Sequence, residues 1–265
     1  MEISKIMKKK IEELIEKGKR IDERELLEYR DIEIKTGVSA KAEGSAWVKV
    51  GDTEVIAGVK LDAVEPYRDS PDSGNLAVGA ELSPMASDRF ELGAPDIQAI
   101  ELARLVDRGV RNSECIDFKK LCIKEGEKVW SVMIDIYPIN DAGSLIDISN
   151  IAAIAAVKNA VFPEYKDDKV QYGELTDKKL PLSDLPITIT VYKIDNKFVI
   201  DPLTEEEDAS NTRLTFTITY PDEVINSMQK TGEELSEQEI LEMRDIALKE
   251  GKKLHAKVMS LLKQI

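Results

Sequence analysis

Three groups of residues have the types and spacing from which chemistry could be built. The first is the turn Asp141-Ala142-Gly143-Ser144, which runs directly into the apolar stretch Leu145 to Val157. A small, flexible turn at a helix start leaves unpaired N–H groups pointing outward, and such a helix end seats anions, phosphate in particular. An arginine immediately after the turn would hold two phosphate oxygens at once, yet position 145 is leucine. The alternative is a plain N-cap in which Ser144 accepts backbone hydrogen bonds. The second group is "DPLTEEEDAS", Asp201 to Ser210, with four consecutive acids at Glu205, Glu206, Glu207 and Asp208. Carboxylates so placed could hold a hard divalent cation. As consecutive like charges they fit a solvated loop better, and no metal is assigned there.

The third group is Arg104, Arg108 and Arg111, whose spacings of four and three place them along one face of a helix. Glu101 and Asp107 stand three and four residues before Arg104 and Arg111. Such exposed intrahelical pairs contribute only about 0.3 to 0.5 kcal/mol, too little to keep the arginines from turning toward nucleic-acid phosphates. Other chemistries have little to draw on. Cys115 and Cys122 lack a metal-ligand spacing and read as structural thiols. The single His255 lies in a C-terminal helical pattern, and a Ser-His-Asp or Cys-His mechanism would have to use it.

Lys and Arg number 37 against 51 Asp and Glu, a net charge of −14. A chain so acidic does not coat nucleic acid by itself, although a concentrated basic patch could bind RNA. No apolar run approaches the length of a bilayer span. The start "MEISKIMKKK" has no uninterrupted apolar core or cleavage site, so no secretory leader and a cytoplasmic location are expected.

The elements that must position these residues follow from periodicity. Ile3, Met7, Ile11 and Leu14 mark one helix face, and Gly18 is placed to end that helix. Alternation predicts strands in "DIEIKTGV", "SAWVKV", "TEVIAGVKL" and "NLAVGAELS", with a hairpin turn at Gly51 and Asp52 and a loop at "EPYRDSPDSG". Helical periodicity follows from Pro95 and Asp96 onward, then strands in "KLCIKEG" and "KVWSVMIDIYPI", then an apolar helix from about Ser144 to Phe162. Strands in "LPITITVYKI", "KFVIDP" and "TRLTFTITY" precede a last helix. Ser236 and Glu239 form its capping box, and Ile240, Met243, Ala247, Leu254, Val258 and Leu261 form its stripe. Strands then helices, twice, predict an α+β fold of duplicated βα halves, with mixed sheets packed against helices. Residues 1–30 would form an N-terminal helix and extension, 31–163 the first half, 164–185 a polar, irregular linker, and 186–265 the second half.

In order and spacing, "RIDERELLEYRDIEIKTG", "GSAWVKVGDTEVIAGVKL", "ELSPMASDRFELGAPDIQAIELARLVDRGVRNSE", "KVWSVMIDIYPINDAGSLIDISNIAAIAAVKNA" and "DPLTEEED" resemble the RNase PH family, and most closely its non-catalytic branch in the archaeal exosome. The resemblance implies a six-membered ring in which this subunit alternates with a catalytic RNase PH-type sister. Such a ring degrades single-stranded RNA from its 3′ end with inorganic phosphate, or adds tails in reverse, and carries RNA-binding cap proteins. In active members an arginine after the Gly-Ser or Gly-Thr turn helps to hold phosphate, and an aspartate beyond the acidic pair acts as general acid or metal ligand. Aligned here, those positions are Leu145 and, within about two residues, Leu214. The resemblance therefore implies no catalytic residues, no cofactor and no metal, with Arg104, Arg108 and Arg111, and more weakly Arg68, as RNA contacts. The rival expectation is a self-sufficient phosphorolytic 3′-to-5′ exoribonuclease in which Asp201 or Asp208 replaces the missing group. In a third, purely architectural reading the arginine face only ion-pairs.

Overall fold

The structure is a computed structural model that describes residues 4–264. A helix, α1 (Lys5–Glu16), is capped by the Ser4 hydroxyl and packs Ile11 and Ile15 against Ile194, Val199 and Ala209. It therefore docks on its own chain; Ile3, also expected on this face, lies outside the described residues. An extended strap then leads into the first sheet.

That sheet comprises β1 (Ile32–Thr36), β2 (Gly44–Val50), β3 (Thr53–Val64), β4 (Asn75–Ala80), β5 (Cys122–Lys124) and β6 (Lys128–Asn140). Its order is β1-β2-β3-β6-β4, with β5 also on β6. The β4–β6 pair is parallel and the rest antiparallel. Alternation along β3 turns Val55, Ala57, Val59 and Leu61 inward. Two helices follow from the sequence as read: α2 (Ile97–Asn112), capped by Asp96, and α3 (Leu145–Asn159). α3 is buried from Ile146 to Val157 because it lies between the first sheet and β9 (Ile187–Ile194) of the second. Burying Ile148, Ile151 and Ile154 completely is worth roughly 1.5 to 3 kcal/mol each.

The second sheet has the order β10-β9-β11-β12, adding β10 (Lys197–Ile200), β11 (Thr212–Thr219) and β12 (Val224–Gly232), all antiparallel. α5 (Glu237–Lys263) covers it through Met243 and Ala247, and reaches the first core through Leu254, Val258 and Leu262. Its capping box is formed as expected, with Ser236 N donating to Glu239 at 2.8 Å. The fold is thus α+β, two sheet-and-helix halves joined across α3.

Three local expectations are corrected, and one strand is added. α3 ends at Asn159, and Phe162 belongs to β7 (Val161–Lys166). The polar stretch expected to be irregular is instead a hairpin of β7 and β8 (Lys169–Lys179), tied down where Phe162 and Tyr165 pack on Trp130. β12 carried no sequence expectation. "DPLTEEEDAS" is not a solvated loop: Thr204–Ala209 form a short helix, α4, with Glu206 and Asp201 buried. Among the described residues, no helix is long and apolar enough to cross a membrane.

Candidate functional site

The N-terminus of α3 opens into a cleft of about 390 Å³ between the halves, bordered by Leu82, Arg89, Leu145, Tyr192, Glu207 and Arg213. The turn ahead of α3 lies hard against the start of α4. Gly143 has φ +94°, and a Cβ there would stand 2.3 Å from the Pro202 carbonyl oxygen, so only glycine fits. Arg30 donates to the carbonyls of Ala142 and Gly143, both at 3.0 Å, and Thr53 Oγ1 donates to Gly143 O at 2.8 Å. Asp141 accepts from Gly143 N at 3.1 Å.

Ser144 does not cap the helix as a plain N-cap would. Its φ is +60°, and its hydroxyl, in a residue only 1% exposed, has no hydrogen-bond partner. Its backbone N–H instead donates to Glu207 Oε1 at 2.9 Å, and the Tyr192 hydroxyl donates to the same oxygen at 2.8 Å. The anion at this helix end is thus a side chain of the protein. Burial, reinforced by the nearby Asp141 charge, pushes the Glu207 carboxyl up to about 7. Burial also raises the Tyr192 phenol.

The cations of the cleft are paired. Arg89 grips Asp208 with two bonds, at 2.8 and 2.5 Å. Arg213 Nη2 lies 2.9 Å from Glu101, which also accepts from Gln229 and Thr231. Leu145 is half-buried and packs on the small cluster of Leu102, Leu105 and Ile146. Leu214, the position aligned with a general acid, points away: it is 1% exposed in the core with Val191 and Phe216. Its neighbour Arg213 faces the cleft instead. A guanidinium remains protonated and cannot act as a general acid near neutral pH.

Three carboxylates of the acidic stretch, Asp201, Glu206 and Asp208, are held by arginines of the same chain. Arg20 pairs with Glu206 inside the protein, and Arg30 binds Asp201 at 2.7 and 2.9 Å while Arg24 adds a contact at 3.0 Å. Among the described residues no group of three or more His, Cys, Asp or Glu is arranged to hold a metal ion. Further along α3, buried Asp147 accepts from the Tyr29 hydroxyl and from Thr190 N and Oγ1 at 2.7 to 3.0 Å. Burial lifts its carboxyl to about 6. Cys115 and Cys122 are free thiols. His255 stacks on Tyr220 and lines no part of the cleft.

The arginine face of α2 is exposed at Arg104, Arg108 and Arg111. Arg111 pairs with Asp107 at 2.6 Å and donates to Leu76 O at 3.1 Å. Glu101 turns to Arg213, not to Arg104, so the expected Glu101–Arg104 pair is absent. Arg104 and Arg108 form no ion pair among the described residues. Arg68 is exposed on the loop between β3 and β4. Arg30, Arg89, Tyr192 and Arg213 were missed as site residues, and Glu207 was noted only as a member of the acidic cluster, because each acquires its role from partners distant in sequence.

A profile of the 3′ exoribonuclease (RNase PH) family, domain 1, matches residues 28–163, and one of domain 2 matches residues 184–250. The exosome complex component Rrp42 of Archaeoglobus fulgidus is 46% identical over 91% of each chain. That of Thermococcus kodakarensis is 41% identical over 97% of this chain and 96% of its own. Among solved structures, a chain of the Archaeoglobus fulgidus exosome with RNA bound to the active site is 44% identical, with a TM-score of 0.88 over 95% of this chain and 97% of that one. A chain of an archaeal exosome core is 41% identical, with a TM-score of 0.85 over 96% of each. With 136 residues in the first matched segment alone, more than half of the 265-residue chain, and with such relatives, this chain belongs to the 3′ exoribonuclease (RNase PH) family, among the exosome components of the Rrp42 type.

Proposed function

We propose that this chain is a non-catalytic, structural and RNA-binding subunit of a cytoplasmic archaeal exosome ring. In that ring it alternates with a catalytic RNase PH-type sister, three copies of each, beneath RNA-binding cap proteins. The sister performs 3′-to-5′ phosphorolysis of single-stranded RNA and the reverse tailing reaction. Arg104, Arg108, Arg111 and Arg68 contribute contacts to RNA phosphates.

The observation that carries this reading is the cleft at the start of α3. Where the family's chemistry calls for an arginine and a carboxylic acid, it presents Leu145 and the side chain of Arg213. A charge-assisted hydrogen bond contributes about 1.5 to 3 kcal/mol, against about 0.3 to 1 for a helix N-terminus alone. The larger contribution is missing. The candidates for an independent active site are already engaged, Asp201 by Arg30 and Arg24 and Asp208 by Arg89.

The test is phosphate-dependent release of nucleoside diphosphates from single-stranded RNA, by the purified chain alone and mixed with its sister. Silence alone and activity in the mixture are expected. Activity of the chain alone would move the chemistry back to Asp201, Asp208 and their neighbours.

A further inference from the structure

The charges of α1 run against the preference of a helix. Lys5, Lys8, Lys9 and Lys10 fill its first half, and Glu12, Glu13 and Glu16 its second. A helix is stabilised by acids in its first turn and bases in its last, and α1 has neither. Lysine ahead of glutamate is also the weaker order for a pair four residues apart. Among the described residues, Lys5, Lys9 and Lys10 form no ion pair. A local rule broken without a compensating contact inside the chain is the pattern of a surface that serves a ligand.

The helix that carries these lysines is firmly seated. Ile11 and Ile15 are each 1% exposed against Ile194, Val199 and Ala209, and the Ser4 hydroxyl caps the first turn by accepting from Met7 N at 3.2 Å. With 3.6 residues per turn, Lys5, Ile6, Lys9 and Lys10 fall on the face opposite the two buried isoleucines. All four are exposed, Ile6 at 84%, whereas Lys8 at the border is half-buried. Ile6 therefore stands among three ammonium groups, with Lys5 beside it and Lys9 and Lys10 one turn on. No residue of α1 borders the cleft between the halves, so this face is separate from it.

The chemistry of the face selects its ligand. Carboxylates are best matched by arginine's planar fork, which the face lacks, whereas lysine is an ordinary partner of phosphate as a point charge. An exposed aliphatic among such charges adds apolar contact to a base. We propose that Lys5, Lys9 and Lys10, with Ile6 between them, form a second RNA-binding site on this chain, which takes the phosphate backbone of single-stranded RNA without regard to sequence. The inference rests on reading the chain as an RNA-binding subunit, and it extends that role to a surface outside the cleft and away from α2.

The test measures RNA affinity of the assembled ring by fluorescence anisotropy over a range of salt, with single-stranded RNAs of about 6 and about 30 nucleotides. Lys5→Gln, Lys9→Gln and Lys10→Gln are combined in one variant, because glutamine keeps helix propensity and removes the charge. For the long RNA this variant should lower the salt slope by about 2, at about 0.7 for each lost phosphate contact, and bind at least about tenfold more weakly at low salt. The short RNA should bind as it does to wild type, and the matching Lys→Arg variant should keep wild-type affinity for both. If circular dichroism shows the triple variant unfolded, the three single variants decide the matter, each lowering the slope by about 0.7. An unchanged slope with the long RNA would overturn the proposal. So would an equal loss for both lengths, or a loss of polyglutamate binding with RNA binding intact, which would assign the face to an acidic protein. Arg108→Glu is measured alongside: a loss there with none in the triple variant removes this inference alone. Salt-independent RNA affinity of the wild-type ring would remove the RNA-binding reading itself.

Discussion

Arg20 and Arg30, on the strap ahead of β1, are 2% and 8% exposed, and their guanidinium groups bond to Glu206, Asp201 and backbone carbonyls. Arg104 and Arg108, on α2, lie open to solvent without an ion pair among the described residues. The contrast follows from desolvation. A buried guanidinium is tolerable only when its donors are nearly all taken, whereas an exposed one keeps its water and can exchange it for a phosphate oxygen. Strap arginines therefore hold the fold together, and helix arginines remain available to a ligand.

The most severe way to break the first set is Asp201→Ala, which leaves Arg30 and Arg24 without their shared carboxylate. Removing one partner of a buried ion pair should cost about 3 to 5 kcal/mol in urea unfolding. A loss below about 1 kcal/mol, the range of surface pairs, would place the network at the surface in energetic terms.

A buried carboxylate without a cation sharpens the comparison. Asp147 is held only by hydroxyls and an amide, and the folded chain keeps its proton up to about 6, against 3.8 for an ordinary aspartate. Between those values the folded state binds more protons than the unfolded state, so stability falls as pH rises through the window. Compared with Asp147→Asn, which does not titrate, wild type should lose on the order of 2 to 3 kcal/mol between about pH 4 and about pH 6. Parallel stability curves for the two proteins would refute the assignment.

The helix arginines should affect binding with little effect on folding. Arg108→Glu is expected to weaken RNA binding by the assembled ring about tenfold at low salt and to lower the salt slope by about one, with the ring intact. Unchanged RNA affinity would favour the purely architectural reading. Arg111→Ala should cost about 0.5 kcal/mol of stability at most, because its Asp107 pair is exposed.

Much of this molecule is legible in its sequence where the signal is periodic. The helices α2, α3 and α5, the Gly51 turn and the capping box at Ser236 all follow from spacing. The β7–β8 hairpin escaped because β8 is polar and mostly exposed on both faces, leaving no alternation to read. α4 escaped because its acids look solvated until Arg20, 186 residues from Glu206, is brought against them. Leu145 was visible as a departure from the family pattern. The inward turn of Leu214 depends on strand register, where a one-residue slip exchanges core for cleft and brings Arg213 forward.

Gly143 carries a last consequence. Its lack of a side chain is required by the Pro202 carbonyl, whether or not any phosphate ever binds. A glycine-serine signature can therefore outlive the reaction for which it is known, preserved by the fit of two chain segments. A motif search that scored this turn as enzymatic would be reading the imprint of packing.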